Sequence, residues 1–165
     1  MIETQVYDNF LKQEELETMR QYVLKNVEYG FNTTTNDSDD LYFNHVVWKG
    51  YQSVDRHYIK SQHFEAVLPL LHNIHNIKSL IRVKINCYTG DIGGNAKKHK
   101  DHVDLPFSHY GGIFSLNTCD GGTWIDNKKY DSIENRLLIF DAGRPHSSSN
   151  TTNSDVRMNI NINWL

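Results

Sequence analysis

The sequence predicts an α+β protein, with helices packed on one side of a β-sandwich or barrel. Three observations carry this. Apolar residues recur at three- and four-residue steps in the first half of the chain. The step changes to two at Ser79. Short apolar pieces divided by turn signals then run to the end. With 165 residues the chain has the length of one domain, which needs neither disulfides nor a structural metal merely to fold. We expect a single domain over 1–165, with a helical lead-in over 1–78 and a barrel over 79–165.

Leu16, Met19, Val23 and Val27 predict an amphipathic helix from Gln13 to Asn26. A second helix is expected from about Ser61, with Phe64, Val67, Leu68 and Leu71 on one face and Pro69 bending or shortening it. The polar run from Asn32 to Asp40 between them reads as an exposed loop. In the first period-two strand, Ile81, Val83, Ile85 and Cys87 alternate with Arg82, Lys84, Asn86 and Tyr88. Shorter strands are expected at Gly112–Asn117, Gly122–Asp126 and Arg136–Asp141. In the last, Val156 to Trp164, Arg157, Asn159, Asn161 and Asn163 share one face and apolar residues the other.

Composition excludes several classes. Hydrophobic residues at 38% and charged residues at 22% fit a globular chain and argue against disorder. No apolar run approaches the roughly 18 residues of a membrane span, and the N-terminus carries no basic-then-apolar leader. The net charge of −3 gives no general pull toward phosphate backbones or anionic lipid. Cys87 and Cys119 make no disulfide framework, and without an export signal they are expected as reduced thiols in the cytoplasm. Cys87 is expected in the core and Cys119 in an exposed turn.

Nine histidines stand out. Two overlapping His-x-Asp pairs occur, His99/Asp101 and His102/Asp104. In a strand, residues two apart project from one face, so each pair can offer an imidazole and a carboxylate to one cation, and the two pairs cannot serve the same one. His102/Asp104 is the better pair. Val103 between them suits an outward, buried position, whereas Lys100 suits solvent, and His99 and Asp101 read as a solvated loop. His146, after the apolar run Leu137–Phe140, is the best third ligand. Two histidines and one carboxylate leave coordination positions open, as non-haem Fe(II) oxygen chemistry requires. Eleven residues on, Arg157 puts a cation on the polar face of the last strand, suited to gripping a carboxylate through two parallel hydrogen bonds.

His-x-Asp, a distal His and an Arg about ten residues later resemble the Fe(II)/2-oxoglutarate-dependent oxygenases, most of all their prolyl-hydroxylase-like branch in its short phage and bacterial form. The resemblance runs from about Ile81 to the C-terminus. It includes Asn86-Cys87-Tyr88-Thr89-Gly90, similar to the family strand whose tyrosine approaches the cosubstrate, and Phe140-Asp141 ahead of His146. The opening Tyr7-Asp8-Asn9-Phe10-Leu11 is also similar. The resemblance implies a double-stranded β-helix (jelly roll) with the N-terminal helices on one face. It implies Fe(II) at His102, Asp104 and His146, 2-oxoglutarate at Arg157 assisted by Tyr88, and O2 as the third reactant. It further implies hydroxylation of an unactivated C–H, on a peptidyl and foremost a prolyl substrate.

The sequence departs from the branch twice. Ser115 stands where the prolyl enzymes often carry a second tyrosine, so Asn86 or Asn159 is expected to help hold the cosubstrate's far end. Asn163 stands where the nucleic-acid demethylases carry another arginine, which speaks against base repair. Two other readings stay open from the residues alone. One is a cupin-like metalloprotein without 2-oxoglutarate. The other is a non-catalytic jelly-roll binding module.

Overall fold

The computed structural model describes residues 2–32, 42–50 and 58–165. Most of the expected polar loop after Asn32 lies outside them. Helix α1 covers Gln13–Asn26, as its apolar spacing predicts. Glu15 closes its first turn by accepting a hydrogen bond from the Lys12 N–H at 3.2 Å, and acidic residues at the N-terminus with Lys25 near the C-terminus suit the helix dipole. It ends where Val27 turns extended. The second helical stretch is shorter than expected. A 3-10 turn at Phe64–Val67 leads into α2, Leu68–Asn73. Pro69 sits in the first turn of α2, where its missing N–H costs nothing.

The lead-in over 1–78 is not helical throughout. It contributes strands β1 (Gln5–Tyr7), β2 (Gly30–Asn32), β3 (Tyr42–Lys49) and β4 (Ile59–Lys60). The omission of β3 has a physical cause. A bulge between Val46 and Trp48 shifts its register against its neighbour, so its apolar residues do not keep a simple period of two. The later strands fall where the alternation puts them: β5 (Leu80–Thr89), β6 (Tyr110–Ser115), β7 (Gly122–Ile125), β9 (Leu137–Asp141) and β11 (Val156–Trp164). Two short ones add to them, β8 (Lys128–Asp131) and β10 (His146–Ser148). β7 and β8 form a hairpin whose turn residues, Asp126 and Asn127, have φ of 50° and 63°. Positive φ at both positions is the turn that matches strand twist.

Among the described residues there are two antiparallel sheets. The larger runs β1-β9-β6-β11-β5-β3-β2, with β4 on the end of β3; the smaller runs β10-β7-β8. β11 is central in the larger sheet, paired with β5 on one side and β6 on the other. Leu16, Met19 and Val23 of α1 and Leu70 and Leu71 of α2 belong to the same buried cluster as Val83, Ile85, Phe114, Ile160 and Ile162. A smaller cluster on the opposite face joins Ile113, Leu138, Phe140 and Ala142 to Ile125 of the smaller sheet. The functional candidates lie on that second, inner face. Both cysteines are free. Cys87 is half-buried, and Cys119 is buried rather than exposed, at 6% accessibility. No helix among the described residues is long and apolar enough to cross a membrane.

Candidate metal centre and anion pocket

His102, Asp104 and His146 converge. Each offers a ligand atom within 4.8 Å of the others. The backbone enforces this. His102 and His146 exchange N–H···O bonds of 2.8 and 2.9 Å in an isolated antiparallel bridge, and the Asp104 N–H donates to the Ala142 carbonyl at 3.0 Å. The two imidazoles stand 4.5 Å apart. Here the expectation of a strand through His102 and Asp104 needs correction. The segment is a single bridge followed by bends, and Val103 is exposed at 42% rather than buried. The pair shares a face because the bridge and the Asp104–Ala142 bond turn both side chains inward.

The ring nitrogen Nδ1 of His146 lies 2.9 Å from the Arg144 carbonyl, which fixes it as the donor and turns Nε2 toward Asp104, 3.9 Å from Oδ2. Phe140 meets the other side of that ring edge-on at 4.8 Å. Burial, and next the neighbouring His146, push the pKa of His102 below its ordinary value, so the ring favours the neutral, ligating form.

Asp104 is held from both oxygens. Arg82 Nη2 donates to Oδ1 at 2.7 Å and Asn163 Nδ2 donates to Oδ2 at 2.9 Å. Asn163 is itself fixed. Its Oδ1 accepts from Arg82 Nε at 3.1 Å, and its Nδ2 also lies 3.2 Å from His109 Nε2. Burial alone would raise the Asp104 pKa. Arg82, His146, Asn163 and His102 outweigh it and keep the carboxylate ionised well below its usual range.

Arg157 is fully buried at 1% accessibility. Nη1 donates to Ser148 Oγ at 2.5 Å and to the Ser149 carbonyl at 3.2 Å, and Nη2 donates to Thr123 Oγ1 at 3.1 Å. All these acceptors are neutral, and Nε has no partner among the described residues. Gly121 lets the stem through, since a Cβ there would lie 2.7 Å from Arg157 Cδ. Tyr88 lies under the guanidinium, 5.4 Å from Cζ to the ring centre. It stacks on Tyr42 at 5.0 Å and 20°. Asn86 Nδ2 donates to Asn159 Oδ1 at 3.0 Å, and Asn86 Oδ1 is buried without a partner among the described residues. Ser115, opposite Asn159 in the ladder, is buried on the same face.

The other His-x-Asp pair stays apart from the triad. Asp101 is exposed and bridges to Lys98 at 3.1 Å. His99 is buried rather than solvated, 5.5 Å from the Tyr88 ring. The structure adds residues that sequence reasoning did not assign to the site: Arg82, Lys84, Tyr42, Asn161 and His109. The first two were visible as the polar half of the β5 alternation. Their partners on β11 became visible only with the register, which sets Tyr88, Asn86, Lys84 and Arg82 opposite Arg157, Asn159, Asn161 and Asn163.

No family model and no curated protein matches the sequence. Solved structures do. A prolyl hydroxylase from Trichoplax adhaerens, in complex with a hypoxia-inducible-factor oxygen-degradation-domain peptide, aligns over 98% of this chain and 83% of its own, with a TM-score of 0.60 at 17% identity. A 2OG-Fe(II) oxygenase family oxidoreductase from Burkholderia pseudomallei aligns over 98% and 84%, at 0.65 and 11%. A Pseudomonas putida prolyl-4-hydroxylase aligns over 98% and 91%, at 0.59 and 12%. The chain has the fold of these oxygenases. The donor set fits their metal, since two neutral-capable imidazoles and one ionised carboxylate suit a facial Fe(II) site. A buried guanidinium without an anionic partner among the described residues fits a carboxylate.

Proposed function

We propose that the chain is an Fe(II)- and 2-oxoglutarate-dependent dioxygenase that hydroxylates an unactivated C–H. In this reading residues 1–165 form one double-stranded β-helix domain, with the two sheets as its walls. The observation that carries it is the convergence, on one inner face, of His102, Asp104 and His146 with the buried Arg157. The three side chains hold Fe(II), which with 2-oxoglutarate and O2 supplies the oxidising power. Arg157, backed by Tyr88, binds the far carboxylate of 2-oxoglutarate. Asn86 and Asn159 line the space between.

The protein's own contribution is placement. Arg144 and Arg82, through a carbonyl and a guanidinium, orient His146 and Asp104 toward the metal position. The fold's likeness to a prolyl-4-hydroxylase and to a prolyl hydroxylase bound to its peptide supports a peptidyl, foremost prolyl, substrate. The same fold also serves an alpha-ketoglutarate-dependent epimerase, SnoN of nogalamycin biosynthesis, so the product has to be measured. Succinate release from 2-oxoglutarate with Fe(II), followed by a 16 Da gain on proline-containing peptides, tests the reading. Absence of succinate release with Fe(II) present rejects it. Succinate release with no peptide ever modified rejects the substrate and leaves the chemistry.

A further inference from the structure

Lys84 is a third cation on the inner face, and the proposed function gives it no task. It lies two residues along β5 from Arg82, the donor to Asp104, and on the same face of the strand. Its Nζ donates one hydrogen bond, to Tyr42 Oη at 3.3 Å, and stands 5.3 Å from the centre of that ring. It forms no salt bridge with any described residue. Asp104, the carboxylate that acts on it, already accepts from Arg82 on one oxygen and Asn163 on the other. An ammonium on this half-buried face without a counter-charge is less favourable than one paired with an anion.

Resting on the oxygenase reading, we propose that Lys84 and Tyr42 form a second anion site that takes a carboxylate of the substrate. Arg157 occupies a different place. It sits opposite Tyr88, four residues along β5 from Lys84. Tyr88 and Tyr42 are stacked, and each cation lies against a different ring of the pair, Arg157 at Tyr88 and Lys84 at Tyr42. One ammonium and one phenol match the single charge of a carboxylate. Asn161, opposite Lys84 in the ladder, is buried with Oδ1 lacking a partner among the described residues. It accepts from an N–H or O–H beside that carboxylate. The substrate therefore carries a carboxylate beside the position that reacts, either that of a free amino acid such as proline or that of an acidic residue elsewhere in a peptide.

The test is calorimetric binding to protein loaded with Mn(II) and 2-oxoglutarate, which holds the site without turnover. Two probe pairs separate the sources: L-proline against L-prolinamide, and acetylated, amidated Ala-Asp-Ala against its Ala-Asn-Ala twin. We expect at least one acid to bind about ten-fold tighter than its amide. Lys84→Met removes that preference, Lys84→Arg keeps part of it, and Tyr42→Phe, which keeps the ring, weakens it several-fold. Equal binding of acid and amide in both pairs, binding of none of the four probes, or a preference that survives in Lys84→Met overturns the proposal. So does a loss of 2-oxoglutarate affinity in Lys84→Met as large as that in Arg157→Ala, which would assign Lys84 to the cosubstrate. Failure of the wild type to bind Mn(II) and 2-oxoglutarate at all overturns the oxygenase reading as well, and is seen before any probe is added.

Discussion

Strands β5 and β11 lie side by side through the middle of the larger sheet, and their two faces differ in every respect but backbone. On the outer face Ile81, Val83, Ile85, Met158, Ile160, Ile162 and Trp164 are all at 5% accessibility or less, packed largely against the helices. On the inner face the same ladder presents Arg82, Lys84, Asn86 and Tyr88 opposite Asn163, Asn161, Asn159 and Arg157. The inner face is nearly as buried, yet it leaves Asn86 Oδ1, Asn161 Oδ1 and Arg157 Nε without partners among the described residues. A face built for stability does not tolerate that, because each unpaired buried polar atom costs on the order of 1–3 kcal/mol. The outer face supplies the folding energy, and the inner face holds polar groups ready for ligands.

Substitutions on the two faces should therefore fail in different ways. The largest effect is expected at the triad. His102→Ala should abolish Fe(II)-dependent succinate release, and His99→Ala should leave stoichiometric metal binding in place; metal analysis and a turnover assay decide. The converse result would move the centre to the other pair. On the outer face, Ile160→Ala opens a cavity and should cost about 2–5 kcal/mol in urea unfolding, while the folded fraction still binds metal. Loss of metal binding without loss of stability at Ile160 would erase the distinction between the faces.

Arg157→Ala sharpens the contrast within the inner face. Removing a buried, charge-assisted, two-point contact costs on the order of 2–5 kcal/mol, so the 2-oxoglutarate requirement should rise roughly thirty-fold or more while metal still binds. Arg157→Lys should recover only part, because a point charge lacks the fork. Unchanged 2-oxoglutarate affinity in Arg157→Ala would contradict the class of chemistry itself.

His102, Asp104, His146 and Arg157 were legible as candidates because each carries a chemistry that sequence spacing alone can flag. Strand parity does not bring His102 and Asp104 together, since Val103 is exposed and no strand runs there. A backbone bridge does what strand parity was expected to do, and bridges between distant loops leave no local pattern. β11 was legible to the residue because nothing interrupts its alternation. β3 was not, because its bulge breaks the period. Asn163 was read only as an arginine that is missing. That it grips Asp104 depends on the β5–β11 register and on a loop 59 residues away in sequence, which alternation cannot supply.

Asn163 offers the next test. Asn163→Ala removes one of the two hydrogen bonds on Asp104 and releases Arg82 and His109. Loss of such an outer partner typically lowers metal affinity about 10–100-fold. Competition against a chelator should show that drop, with Tm changing far less than in Ile160→Ala. An unchanged metal affinity would make Asn163 a packing residue and leave Arg82 as the sole support of Asp104.

The smallest effect concerns pH and Lys84. Burial first, and then Arg82, lower its pKa from 10.5 to about 8. The groups around it do not titrate between pH 7 and 9. Tyr42 is pushed up to about 12, Asp104 is held low and His102 is below its ordinary value, with Arg82 as the other charged neighbour. The charged lysine binds a carboxylate, so affinity for the aspartyl peptide should fall as pH rises through about 8, roughly ten-fold between pH 7 and pH 9. The asparaginyl twin should show no such slope. Stability should move the other way. The folded state gives up this proton before the unfolded state does, so the penalty for the buried charge is full below pH 8 and fades as pH climbs toward 10.5. Against Lys84→Met, which has no charge to lose, wild-type stability should gain over that window while acid binding declines. Two slopes of the same sign would show that the ammonium is not the group in contact with the ligand.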